Sequence, residues 1–231
     1  LPLFTMNTNH DNDVQYADGY ARDQQGENAG QQAYGDSYSE STPDILYLNH
    51  YCANAFPPQD NTEEARAEAD ASWEPVRDWM RTHSAEEVRA AAEQRDDARK
   101  TALHFACQHA PPLDVIDVFL SIAVDIAQWP DTFGWLPIHY ACAYGADTQV
   151  IKILAEAYPE SKTTVDRKGR TPLHFALGIA NSNSPVGVVL LSSTGAATYA
   201  DDNGMLVSKK CIPNDWLGFL CLVAHAPHLF I

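Results

Sequence analysis

Three histidines recur at one spacing: His104, His139 and His174 stand 35 residues apart. Imidazole moves protons near neutral pH and is a common metal ligand. Either use requires the rings to converge on one point, whereas these are strung out one per 35-residue interval. Cys107 and Cys142 share that interval, one helical turn after their histidines. Equivalent positions on neighbouring helices lie roughly 8–10 Å apart, too far for an unstrained disulfide. The cysteines therefore read as small core hydrophobes. The chain contains no H-x-x-x-H, C-x-x-C, G-x-x-x-x-G-K-[ST] or G-x-S-x-G. No catalytic residue, metal ligand or cofactor is assigned.

The histidines belong to a larger repeat. Thr101-Ala-Leu-His-Phe-Ala-Cys107 returns as Leu136-Pro-Ile-His-Tyr-Ala-Cys142 and as Thr171-Pro-Leu-His-Phe-Ala-Leu177. Asp96, Asp131, Asp166 and Asp201 keep the same interval, as do Gly134, Gly169 and Gly204. A fixed period of this size is the mark of a solenoid, in which each unit buries its apolar face against its neighbours. Thr171-Pro172 reads as a helix start, with Thr as N-cap and Pro in the first turn. Gly134 and Gly169 each follow an aspartate by three residues, as a turn needing a left-handed residue requires. Ile138, Ala141 and Cys142 share one helical face, and Val150, Ile151, Ile153 and Leu154 form the stripe of a second helix. That second helix is expected to run to Tyr158 and stop at Pro159. Ala106, Ala141 and Ala176 leave room for close helix approach.

Asp166-Arg-Lys-Gly169-Arg-Thr-Pro-Leu-His-Phe-Ala176 resembles the ankyrin repeat word D-x-x-G-x-T-P-L-H-x-A. The resemblance covers about residues 96 to 205. It implies a hairpin and two antiparallel helices per unit, and histidines that hydrogen-bond the hairpins between units. It also implies that partners meet the hairpin tips and the exposed side of the first helix. The fold class is thus all-α: a short ankyrin-like solenoid with hairpin loops, behind a disordered acidic N-terminal segment.

Three parts are expected. Residues 1–71 are rich in Asn, Gln, Asp, Gly and Ser and carry only Arg22 and Arg66 as basic residues. Such a stretch buries too little apolar surface to offset its ordering entropy. Its apolar island, Ile45 to Tyr51, is either a short linear motif or an extra helix docked on the solenoid. Residues 72–205 hold the array: a capping pair at 72–95, three repeats over 96–200 and the start of a fourth at 201. In the capping pair, Ser72 is expected to cap one helix with Val76, Trp79 and Met80 on its apolar face, and Ser84-Ala-Glu-Glu87 is a capping box opening the next. Residues 206–231 leave the pattern. Two readings stand for this apolar tail: an aberrant end, since Val207-Ser is how the splice-donor sequence GTAAGT translates, or a degenerate capping helix from Asp215 to Ala224. Trp216 to Ile231 falls short of the ~20 residues that a membrane span needs.

The net charge of −16 argues against a nucleic-acid partner. The cysteine usage fits a reducing compartment, cytoplasm or nucleus. Residues that differ between units at matched positions are the ones that could set specificity. At the hairpins these are Asp97, Ala98 and Lys100; Thr132, Phe133 and Trp135; and Arg167, Lys168 and Arg170. On the first helices they are Gln108 and His109, Ala143 and Tyr144, and Gly178 and Ile179. The candidate partner-binding set is Phe133, Trp135 and Tyr144, aromatics suited to a hot spot, with Arg167, Lys168 and Arg170. Two departures predict backbone strain: Arg99 stands where the other units have Gly134 and Gly169, and Ala110 and Ala180 stand where the middle unit has Gly145. The third unit's second helix, Val188 to Leu191, reads as short.

The function expected is a non-catalytic protein–protein interaction module, a scaffold or adaptor. Two alternatives stand beside it: a regulatory fragment of a larger enzyme, and a truncated or misassembled product with no function of its own. Two readings stand for the acidic segment 1–71: a free solvated tail, or contact with the basic hairpins within the same chain.

Overall fold

A computed structural model describes residues 47–60, 62–176, 200 and 202. The expected readings of residues 1–46, of the third unit's second helix and of residues 206–231 lie outside them.

The first repeat has an inner helix α5 (Ala102–Gln108) and an outer helix α6 (Leu113–Ala123) that continues into a 3₁₀ turn (Val124–Gln128). The second has α7 (Pro137–Ala143) and α8 (Thr148–Ala157), then a 3₁₀ turn (Pro159–Lys162). The third opens with α9 (Pro172–Ala176). Proline occupies the first turn of α7 and α9, where its missing N–H costs no hydrogen bond. As expected, α8 closes at Tyr158, and Pro159 prevents its continuation. Each inner helix packs on the next, α5 on α7 and α7 on α9, while α6 packs on α8 in an outer row. Ala106, Ala141 and Ala176 are buried along the inner row, and Phe119, Ile151 and Leu154 along the outer one.

Folded structure begins before the expected boundary at residue 72. Helices α1 (Tyr47–Asn54) and α2 (Glu63–Ala71) precede α3 (Glu74–Thr82) and α4 (Ala85–Ala92). Helix α1 packs against α5 and α4 against α6, so α1 and α4 are the inner and outer helices of a further unit. Leu48, Asn49 and Cys52 precede Leu103, His104 and Cys107 by 55 residues, one 35-residue unit plus a 20-residue insertion. That insertion, carrying α2 and α3, hides the period. Leu48 and Cys52 are fully buried. The apolar island is therefore a helix docked on the solenoid. The capping region comprises residues 47–95, not 72–95.

Arg77 fixes the insertion to the array. Its guanidinium meets Asp70 at 2.6 Å, Glu74 at 2.9 Å and Asp114 at 2.8 Å, joining α2, α3 and α6. These hydrogen bonds, that to Asp114 foremost, raise the arginine's pKa further, and the Asp114 carboxyl is held below its ordinary value. The N-cap of α3 is Trp73, one residue later than expected. Ser72 instead closes α2: its Oγ donates to the Ala69 carbonyl at 2.6 Å and accepts from the Phe56 N–H. On α3, Val76 and Trp79 are buried and Met80 is half-buried. The capping box at α4 forms as read, with Ser84 N–H donating to Glu87 and Glu87 N–H to Ser84 Oγ.

Candidate interaction surface

The hairpins are built by their leading aspartates. In the second, Asp131 Oδ1 accepts the N–H groups of Phe133 and Trp135, both at 2.8 Å, and Oδ2 accepts the Tyr140 hydroxyl. In the third, Asp166 Oδ1 accepts from Lys168 and Arg170. In the first, Asp96 Oδ1 accepts from Lys100. Burial pushes the Asp96 and Asp131 carboxyls up, partly opposed by these hydrogen bonds. Adjacent hairpins are tied by one recurring backbone bond: Thr132 N–H to Ala98 O, Arg167 N–H to Phe133 O, and Asp202 N–H to Lys168 O. The donors keep the 35-residue interval, so Asp202 meets the third hairpin in the register in which Thr132 and Arg167 meet theirs. Their tips therefore form a continuous ridge.

The recurring histidines bolt units together. His104 Nδ1 accepts the Thr101 N–H at 3.1 Å, which fixes the neutral ring's proton on Nε2. Nε2 then donates to the carbonyl of Trp135 in the next unit at 3.2 Å. His139 repeats this with the Leu136 N–H and the Thr164 carbonyl. His174 accepts from Thr171 in the same way. Burial lowers the pKa of His104 to about 3 and that of His139 to about 4. Both are neutral, enclosed struts and present no base to solvent. Among the described residues, no cluster of three His, Cys, Asp or Glu could hold a metal ion.

Between hairpins and inner helices runs a column of rings with a cation at each end. Lys100 lies 5.6 Å from Phe105 and 5.1 Å from Tyr140. Trp135 meets Tyr140 edge-on at 4.9 Å and Phe175 at 4.5 Å. Arg170 covers Phe175 at 4.7 Å and Trp135 at 5.6 Å. This column corrects the expected hot spot. Trp135 is only 5% exposed, and its indole N–H donates to Asp166 at 3.1 Å. A ring this large gains more by filling the inter-unit gap, where both rings and an acceptor await it, than by facing water. Arg170 is likewise committed: its side chain is 11% exposed and pairs with Asp166 at 2.7 Å.

The remaining candidates stay on the surface. Phe133 is 36% exposed at the second tip. Tyr144 is 37% exposed and stacks on Tyr140, with ring centroids 6.2 Å apart. Arg167 and Lys168 are exposed on the third tip. Gln108, His109 and Ala143 are half-buried, whereas Gly178 and Ile179 lie outside the described residues. Arg99, absent from the expected set, is exposed on the first tip at φ +62°, where Gly134 takes +81° and Gly169 +73°. Its signal in the sequence was a charged residue standing in a glycine's place. Apolar surface and cations stand side by side on a hydrogen-bonded ridge, an arrangement that can dock a partner.

Residues 103–196 match the family model described as ankyrin repeats (3 copies). No curated protein matches the sequence. Among the described residues, no helix is long and apolar enough to cross a membrane.

Proposed function

We propose, on the premise that residues 103–196 are ankyrin repeats, that the chain is a non-catalytic scaffold or adaptor whose hairpin ridge and inner-helix surface dock a protein partner. Repeats of this family serve as protein–protein interaction modules. The observation that carries the reading is the contrast within the middle unit. Trp135 is withdrawn into the stack while Phe133 and Tyr144 remain more than a third exposed. An aromatic left on a rigid, hydrogen-bonded ridge is a preorganised contact whose ordering cost has already been met. The three buried free thiols, Cys52, Cys107 and Cys142, suit a reducing compartment, cytoplasm or nucleus.

The test is quantitative affinity capture with the full chain and with the double variant Phe133→Ser/Tyr144→Ser as baits. A stoichiometric partner held by the parent chain and lost by a variant with an unchanged thermal melt supports the reading. Equal capture by both baits overturns it for this surface.

A further inference from the structure

We propose that the ridge recognises a short acidic segment of a partner protein with an apolar residue at its centre. The inference rests on the interaction reading above and gives its partner a chemistry.

The tips run in a fixed order, because each hairpin is hydrogen-bonded to the next. Asp97 and Arg99 stand on the first, Thr132 and Phe133 on the second, Arg167 and Lys168 on the third, and Asp202 is hydrogen-bonded to the third beyond them. Phe133 thus lies between exposed cations on both sides, while the two acids bracket the ridge. This arrangement stands out in a chain of net charge −16. A long polyanion would run over Asp97 and Asp202 and meet the field of the whole acidic protein. A short segment carrying two acids and one apolar side chain meets only Arg99, Phe133, Arg167 and Lys168.

Arg99 adds a second observation. Its φ of +62° is a conformation the two matched positions fill with glycine. An arginine there bears backbone strain that glycine would not, and in return it sets an exposed charge on the first tip where the matched positions carry no side chain.

Spacing makes the inference specific. Units stack roughly 8–10 Å apart, so the first and third tips are separated by about 16–20 Å. Extended chain covers about 3.3 Å per residue and alternates its side chains between two faces, so the two acids should stand about six residues apart, an even spacing that keeps both on one face. The apolar residue should lie between them on that same face, an even number of residues from each, to reach Phe133.

The experiment is selection of a random-peptide display library on the full-length chain, followed by fluorescence anisotropy of the enriched peptides. The expected winners carry two acids about six residues apart, with an aliphatic or aromatic residue between them at an even spacing from each. They should bind Arg167→Glu/Lys168→Glu about tenfold more weakly, and Arg99→Glu several-fold more weakly. Binding should weaken further as salt rises from about 0.1 to 1 M, where the Debye length falls from ~10 to ~3 Å. Neutral or basic winners, or winners indifferent to charge reversal, sink this inference and leave the interaction module standing. A single-stranded oligonucleotide that binds the ridge more tightly than any peptide also sinks it. No enrichment over the Phe133→Ser/Tyr144→Ser variant sinks this inference and leaves the interaction reading to the affinity capture above. Circular dichroism melts of each variant establish that folding is intact.

Discussion

At the scale of the residue, the two bolting histidines make stability depend on pH. Their pKa values fall to about 3 and about 4 on burial, whereas an unfolded histidine titrates near 6.5. Below pH ~6.5 the unfolded chain therefore binds protons that the folded chain refuses, and stability falls as pH falls. Each histidine contributes up to about 1.4 kcal/mol per pH unit across that window, ending near 4 for His139 and near 3 for His104. Urea unfolding at pH 7, 6, 5.5 and 5 reads the slope before most carboxylates titrate. A flat profile would show that the rings are not held neutral. Glycine positions give a second prediction. A Cβ built on Gly145 meets nothing within 4 Å, whereas one on Gly134 lies 3.2 Å from the Arg167 backbone nitrogen. Gly145→Ala should cost only the left-handed strain, roughly 1–2 kcal/mol. Gly134→Ala should cost more, because the inter-hairpin bond must also shift. Ala110, at φ +51° in the matched position of the first repeat, shows that the strain at Gly145 is bearable. Equal losses in equilibrium denaturation would refute the distinction.

At the scale of the element, the array depends on a helix that the sequence offered only as one of two readings of an apolar island. Helix α1 covers the face of α5 that would otherwise be an open end of the inner row. Leu48→Ala should cost about 2–5 kcal/mol, the loss of a fully buried leucine in a close-packed site. A change below about 0.5 kcal/mol in urea unfolding would mean that α1 is not part of the folded unit. The repeats themselves were legible because their signals are local: an aspartate, a glycine three residues on, a proline in the first turn and a histidine at a fixed offset. The capping box at Ser84 and Glu87 was legible for the same reason. Helix α1 shows none of these marks. Asn49 replaces the histidine, the hairpin word is absent, and the insertion of α2 and α3 breaks the interval. Helix α2, with Ala69 as its buried residue, shows almost no apolar stripe to find. The candidate surface was half legible. Residue type and register placed Phe133, Tyr144, Arg167 and Lys168 correctly at the surface. They could not show that Trp135 turns inward, because that depends on rings and a carboxylate from the neighbouring unit.

At the scale of the whole molecule, the column of rings decides how far the units act as one. In a solenoid, stability is a sum of intrinsic unit terms and nearest-neighbour interface terms, and cooperativity comes from the interfaces. Trp135 is almost entirely an interface residue. Its ring meets Phe175 and its indole nitrogen meets Asp166, both in the following unit, while Tyr140 and His139 belong to its own. Trp135→Ala should therefore cost about 3–5 kcal/mol, as other large buried aromatics do, and the loss should be uneven along the array. The third unit has α7 as its preceding neighbour and loses a principal contact with it. The first repeat keeps its histidine bolt, and it and the unit of α1 and α4 keep their own packing. Hydrogen exchange resolves this by position. Amides of α9 and of the 166–170 hairpin should lose protection first and most, those of α7 next, and those of α4 and α6 least. Denaturant unfolding should broaden as the units uncouple. Equal loss of protection from α4 to α9 would show instead that the array is one cooperative block, with its coupling spread beyond the column and through the outer row of helices.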